Sequence, residues 1–529
     1  PGGEIKLQER NSKWINDDYV KFIRLAQTFV DATPRGMIAY INPHGFSDNP
    51  TFRGMRWNLL QSFNKIYVLD LHGNSKKKET SPDGSKDENV FDIQQGVCIF
   101  IAIKLNDRKN KDCEVFHADL YGVRQEKYDY LSSTFWKNVH WEKVSYNEPF
   151  YFFKPMTENN RDVYEDGFSI NDLFLTTSIG VVSARDDVVV DFTYQELRDK
   201  IDLFCNPEYT DEMVRSLFWP NKQPGKYLPG DTRGWSLSKA RKAILQNEHD
   251  KYIERFLYRP FDWRYIYYTK TMVDWSREQV MRNFIGHDNR ALIAPRQTKE
   301  RIDCYLTECV CGHKTCSSYD VNTIFPLYIY SEKFGHSIRK PNFSDDIIHE
   351  FEHRLNCTFK DTDANDSQDI FTANDIFDYI FATMNSTVYK DTYSEFLKID
   401  FPKIPYPENI DYFRQLANIG HSLEEIELLK FDLPDDVFLF NQTATTAIVE
   451  KARHKADTVI INKAGDTFEG IDKELWDKYV GGYKPLQKWL QDRKGRTLTQ
   501  EDILLYRKIA YALKKRDEII PVIDSIIQL

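Results

Sequence analysis

The chain has 529 residues and a formal charge of −10, with 71 Lys and Arg against 81 Asp and Glu, which excludes a histone-like polycation. Its 41% apolar and 29% charged residues place it among folded rather than disordered proteins, with length enough for several domains. It has no apolar run of membrane-spanning length and no apolar signal-peptide region in PGGEIKLQERNSKW, and its eight cysteines are dilute; reduced thiols and a cytoplasmic location are therefore expected.

Along the chain, residues 13–31 place Tyr19, Phe22, Ile23, Ala26, Phe29 and Val30 at helical spacing, with Asn16 to Asp18 as caps. Gly36 leads into MIAYIN, an apolar run of strand length, and then into the turn-rich NPHGFSDNP. FRGMRWNLLQSF reads as a second helix, KIYVLDL as a second strand and GVCIFIAIK as a third. All three strands are apolar along their length, so each is expected to lie in one sheet, covered on both faces. No helix separates the last two, which fits an antiparallel hairpin at a sheet edge.

From about residue 113 short aromatic runs follow one another: VFHADLYG, PFYFFKP, SIGVVSARDDVVVDF, IERFLYRPFDWRYIYYTK, NRALIAPRQ and TIFPLYIY, with FTYQELRDKIDLF as a helix among them. Beyond residue 335 the pattern becomes helical, in NDIFDYIFATMNS, EFLKI, YFRQLANIGHSLEEIELL and LYRKIAYALKKRDEIIPVIDSII. Residues 345–378 hold 10 Asp or Glu against 2 Lys or Arg, whereas 484–516 hold 10 Lys or Arg against 3 Asp or Glu. The basic stretch is thus the better candidate for a polyanion face, although such runs also arise as plain solvated helix faces.

The chain contains no GxGxxG, GxxxxGK[ST] or GxSxG motif, one of which usually follows the first strand of a cofactor-using α/β enzyme. It therefore reads as a piece whose N-terminal part lies upstream of Pro1. GMIAYINPHGFSDNPTFRGMRWNLLQSFNKIYVLDLHGN followed by DENVFDIQQGVCIFIAIK resembles the C-terminal half of the catalytic domain of gamma-class N6-adenine DNA methyltransferases. KWINDDYVKFIRLAQ, YRPFDWRYIYY, NRALIAPRQ, FPLYIY and FDYIFATMNSTVYKDTYSEFLKIDFPKIPYP are similar to single-chain restriction–modification enzymes of type ISP or IIG, in which a target recognition domain follows the methyltransferase. Together these matches span residues 10–515.

The resemblance implies an α/β fold: a partial Rossmann-like methyltransferase sheet over 1–145, a mixed α/β target recognition region over 146–335, and a mostly helical part of the DNA-recognition region over 336–529. It implies methyl transfer from S-adenosylmethionine to an adenine flipped out of double-stranded DNA, with a nuclease or translocase fused upstream in the parent protein. The family's Asn/Asp-Pro-Pro-Tyr/Phe tetrapeptide and Gly-rich cofactor turn are absent. Asn42-Pro43-His44-Gly45 comes too late in the motif order to replace the tetrapeptide and is read as a turn. No catalytic residue is therefore assigned here, S-adenosylmethionine is expected mainly on the upstream half, and the chain alone is expected to be inactive.

By the resemblance, Phe91, in NVFDIQQGV, corresponds to the aromatic that helps sandwich the extruded adenine, a stack worth roughly 1–3 kcal/mol; the plain alternative is that it packs under its loop. Lys76, Lys77 and Lys78 lie in the loop that faces DNA in the family; phosphate contact and a solvated tip are equally open. Arg259, Arg264, Arg277 and Arg296, interleaved with aromatics, are DNA-binding candidates, because a guanidinium reads guanine edges and grips phosphate. A buried pair of Arg259 or Arg264 with Asp262 is the equal alternative. Cys304, Cys309, Cys311 and Cys316 with His313 lack two close CxxC pairs, so ordinary reduced cysteines are expected and no metal. Two other functional readings stand beside methylation: a DNA-binding specificity module without its own catalysis, and an RNA-modifying or RNA-binding protein, since aromatic surfaces suit splayed strands.

Overall fold

The computed structural model describes residues 12–75, 79–105, 112–148, 150–155, 161–297, 303–317, 320–333, 336–361 and 369–528. The chain divides into two compact units, Pro1–Asn159 and Asn160–Leu529.

The first unit is built on a five-stranded sheet. Its elements are α1 (Asp18–Asp31), β1 (Gly36–Pro43), α2 (Arg53–Ser62), β2 (Lys65–Asp70), β3 (Val97–Lys104), β4 (Glu114–Asp119), α3 (Arg124–Ser133) and β5 (Glu142–Val144). The sheet order is β1-β3-β2-β4-β5. The three apolar runs thus lie side by side as expected. β2 and β3 do pair antiparallel, but β3 is not at an edge: it inserts between β2 and β1 and runs antiparallel to both. Two flanking ladders satisfy the backbone of the most apolar strand, in which Cys98, Phe100 and Ala102 are fully buried. β2 and β4 pair in parallel, with Asp70 beside Asp119. β1, β2 and β4 therefore all end at the same side of the sheet.

α1 turns Val20, Ile23, Gln27 and Val30 inward, and Pro34 follows just beyond its end, where it disfavours further helix. These side chains join Ile38, Phe46, Phe63, Ile66, Val68 and Phe100 in one core. Arg56 of α2 is fully buried and donates to the carbonyls of Phe46, Asn49 and Phe150, fixing the turn between β1 and α2. Burial of all three apolar strands on both faces does not hold: in β1 the alternate residues Met37, Ala39 and Ile41 are exposed, because β1 is an edge strand with one uncovered face.

In the second unit, Ile253–Arg259 and Asp262–Tyr267 pair antiparallel around a tight turn in which Phe261 takes a positive φ of 60°. Val190–Asp191 and Val310–Cys311 complete that sheet. Ala291–Pro295 lies between Tyr305–Thr307 and Asn322–Pro326 in another. The predicted helices fall at Tyr194–Cys205, Ala373–Asn385, Ile410–Glu427 and Gln500–Ile526. Thr193 caps the first of these, with Glu196 reaching back to the Thr193 N–H. A boundary at 335 does not separate two cores: Phe256, Leu257 and Ile266 pack in the same cluster as Ile503, Tyr506, Ile509 and Leu513.

Candidate nucleic-acid interface

In open α/β sheets ligands gather beyond the carboxyl ends of the strands. In the first unit that side carries the long segment between β2 and β3. Lys76, Lys77 and Lys78 lie outside the described residues. Phe91 is described: its side chain is 43% exposed, while Val90 before it is buried against Leu69, Leu71 and Val97. The ring therefore does not pack under the loop. Its backbone is fixed nonetheless, since the Phe91 N–H donates to Asn89 Oδ1 at 2.9 Å and the Asn89 amide donates to the carbonyls of Gly73 and Gln95.

The same strand ends hold a charge cluster that sequence reasoning missed. His44 Nδ1 lies 2.9 and 3.0 Å from the two Asp70 oxygens, and Asp70 also accepts the His72 N–H. His72 has a φ of 52°, which turns its ring between Glu79, 2.8 Å from Nδ1, and Asp119, 2.7 Å from Nε2. Tyr121 stacks on it with ring centres 3.8 Å apart. Burial opposes a charge on His72, but the hydrogen bonds to Asp119 and Glu79 overcome that cost and push its pKa up to about 9. Burial likewise opposes charge on Asp70, yet the His44 hydrogen bond and the nearby imidazoles hold its carboxyl well below the usual range. The only trace in the sequence is a histidine or aspartate at the end of each strand, and spacing alone does not reveal that these strands align.

Two overlapping triplets here, His44–Asp70–His72 and Asp70–His117–Asp119, bring metal-ligand atom types within 4.8 Å, as does Asp378–His421–Glu424 in the second unit. In the first triplet His72 has a carboxylate on each ring nitrogen, Glu79 and Asp119. Cys304, Cys311 and Cys316 are buried and join no such group among the described residues. Burial pushes the Cys304 thiol up to about 12 and Cys309 to about 11, so both are protonated thiols at neutral pH in the metal-free chain.

The four candidate arginines have different surroundings. Arg264 is not free to meet DNA: it is buried, donates to Asp262 Oδ2 at 2.6 and 3.0 Å and to Asp492 at 2.7 Å, and lies 3.8 Å from the Tyr258 ring centre. Of the two pairings left open with Asp262, Arg264 makes it. Arg259 lies over the rings of Tyr258 and Tyr483 and donates to the Tyr258 carbonyl. Arg296 forms an exposed two-point pair with Asp400. Arg277, at a φ of 55°, stacks 4.7 Å from the centre of the 57% exposed Trp275 ring and has no ion-pair partner among the described residues.

The basic stretch 484–516 is largely neutralised. Lys484 pairs with Asp477, Lys488 with Asp492, Arg493 with Asp262, Arg496 with Glu196 and Arg516 with Glu427. Arg507 and Lys508 donate to backbone carbonyls, and Lys515 pairs with Glu518. Lys494 and Lys514 alone of the ten make no side-chain hydrogen bond, ion pair or ring contact among the described residues.

Among the described residues the first unit has no Gly-rich turn of the kind that cradles S-adenosylmethionine. The strand-to-helix turns of the sheet, β1 to α2 and β4 to α3, carry a single glycine each, Gly45 and Gly122. No helix among the described residues is long and apolar enough to cross a membrane.

The first unit thus carries a five-stranded sheet with an exposed aromatic at its carboxyl-end side, and the second a larger mixed α/β unit rich in arginine–aromatic stacks. The family model for the Type ISP C-terminal specificity domain matches residues 172–521, and the chain belongs to that family. Three solved structures share the fold over 97% of this chain. They are the ATP-dependent Type ISP restriction–modification enzyme LlaBIII bound to DNA (18% identity, TM-score 0.67), a DrdV–DNA complex (19%, 0.68), and a nuclease-deletion mutant of the Type ISP enzyme LlaGI with a DNA substrate mimic (18%, 0.64). The chain spans 35%, 53% and 41% of their respective lengths. A comparison with curated proteins finds no match.

Proposed function

We propose that this chain recognises double-stranded DNA for an N6-adenine methyltransferase of a restriction–modification system, and that its first unit forms the distal wall of the pocket for the flipped base. The observation that carries the reading is Phe91: a fixed, half-exposed ring at the carboxyl ends of β1, β2 and β4, where a sheet of this kind meets its ligand. The edge of the sheet supports it. Among the described residues β1 has no partner strand on one side, its Met37 and Ile41 are exposed, and α1 exposes Phe22, Leu25 and Phe29 on the side away from the core. Such an edge suits continuation of the sheet by the segment that carries the catalytic tetrapeptide and, when S-adenosylmethionine is bound, its methyl donor. On this chain's side, Phe91 stacks on the adenine and holds it out of the duplex, returning part of the unstacking cost. In the second unit Arg277 and Arg259 are the proposed DNA contacts.

The test is binding of the purified chain to duplex DNA across a salt series, with methyl transfer measured in parallel. A steep loss of affinity with salt and no turnover are expected. Methyl transfer by the chain alone would overturn the assignment of catalysis to another segment. Preference for single-stranded RNA over duplex in competition would replace it with an RNA-binding reading. A second reading, a specificity module without catalysis in its own protein, is favoured by the match to a specificity domain over 172–521; it predicts the same binding and no Phe91 effect on an extruded base.

A further inference from the structure

We propose that α3 is a positioning element for Phe91. One face of this helix, carrying Arg124, Lys127 and Tyr128 at i, i+3 and i+4, grips four consecutive carbonyls of the loop. Lys127 Nζ donates to Glu88 O at 2.7 Å, Arg124 Nε to Asn89 O at 2.7 Å, Tyr128 OH to Val90 O, and an Arg124 terminal nitrogen to Phe91 O at 3.0 Å. The other Arg124 terminal nitrogen pairs with Asp92 at 2.7 Å.

Beneath this grip lies an ion pair with both side chains at 0% exposure, Lys127 with Asp87 at 2.7 Å. Lys127 also donates to Leu71 O, and Asp87 accepts the N–H groups of Gly73 and Gly122. Burying such a pair brings little net stability, because desolvation consumes most of the attraction. Its effect here is geometric: it ties the start of the segment, its end and the entry to α3 into one piece.

An exposed aromatic on a mobile loop would lose much of its stacking free energy to ordering, whereas one on a fixed backbone keeps it. The helix thus acts through Phe91, and the inference rests on the base-stacking reading of that ring.

Two measurements on the full 529-residue chain test it. The first is hydrogen exchange of the peptide spanning 88–96 in the wild type, in Arg124→Met and in Tyr128→Phe. Exchange should rise at least fivefold in Arg124→Met and less in Tyr128→Phe, with β2 and β3 unchanged. Unchanged exchange in both variants would overturn the positioning role and leave the reading of Phe91 intact. Tyr128→Phe removes one hydroxyl from an exposed side chain, so it remains informative if Arg124→Met does not fold.

The second is anisotropy binding to a duplex bearing one unpaired adenine and to its fully paired counterpart. A base–aromatic stack of about 1–3 kcal/mol corresponds to a preference of about fivefold or more for the unpaired adenine. Phe91→Ala and Arg124→Met should each reduce it, and the double variant should lose no more than Phe91→Ala, since Arg124 works through the ring. Additive losses would overturn the positioning role. No preference in the wild type would overturn the stacking reading itself, while the exchange result still decides whether α3 holds the loop.

Discussion

Arg264 and Arg277 share a chemistry and the same sequence texture, but burial separates them. Replacing Arg264 by Ala leaves Asp262 to Arg493 and Asp492 to Lys488 but removes three hydrogen bonds to charged groups and opens a cavity, and should cost about 1–3 kcal/mol, read as a lower urea midpoint. Replacing Arg277 by Ala should leave that midpoint within about 0.5 kcal/mol, weaken duplex binding and reduce the salt slope by about one. Interleaved Arg and aromatic residues in the sequence did not distinguish the two, because an Asp two residues away is as consistent with exposure as with burial until the strand pairing is known.

His72 makes stability depend on pH. Its folded pKa of about 9 exceeds the ordinary 6.5, so its contribution is complete below about pH 6.5 and is lost as pH rises through 9. Glu79 and Asp119 are lowered, burial opposing and the His72 hydrogen bond prevailing, so their contribution is present above the ordinary carboxylate range and fades in acid. Asp70, His44, His117 and Lys154 also act on this site, and buried His117, its pKa lowered by desolvation, adds a further acid penalty. Urea midpoints should therefore peak near pH 5–6.5 and fall toward pH 9, and His72→Asn should flatten the alkaline limb. An alkaline limb unchanged in that variant would remove His72 as its source.

At the scale of elements, apolar runs made β1, β2 and β3 legible, because a buried strand shows itself by continuity. What the runs do not encode is lateral order. β3 enters between two strands that precede it in the chain, a choice made by tertiary pairing. Nor did the texture change at 113 mark a boundary: VFHADLYG contributes β4 to the first sheet. Phe91 was legible through the resemblance. The helix that grips its loop was not, since Arg124, Lys127 and Tyr128 look like an ordinary polar face until their acceptors are seen. The bare flank of β1 carries its own expectation. Met37→Lys together with Ile41→Lys should reduce self-association of the purified chain, measured by sedimentation, while leaving the urea midpoint nearly unchanged.

Over the whole molecule, the net charge of a segment is a poor guide to which of its cations are unpaired. The basic stretch 484–516 stands out in the sequence, yet acids and carbonyls, on other elements or one turn away on the same helix, engage most of it, so the net count of a segment says little about its field. The second unit is one body by its core: the helix Gln500–Ile526 packs with strands that lie more than two hundred residues earlier.

The place of β3 also bears on the order in which the chain is made. β1 and β2 leave the ribosome first, and neither pairs with the other, because the strand that joins them has yet to be synthesised. Their ladders with β3 cannot close fully until Lys104 has cleared the exit tunnel, so the edges of β1 and β2 that face β3 stay open through the whole intervening loop. The two charged stretches of that loop, SKKKE and DGSKDE, flank the waiting strands as gatekeepers and keep the nascent segment soluble until β3 arrives.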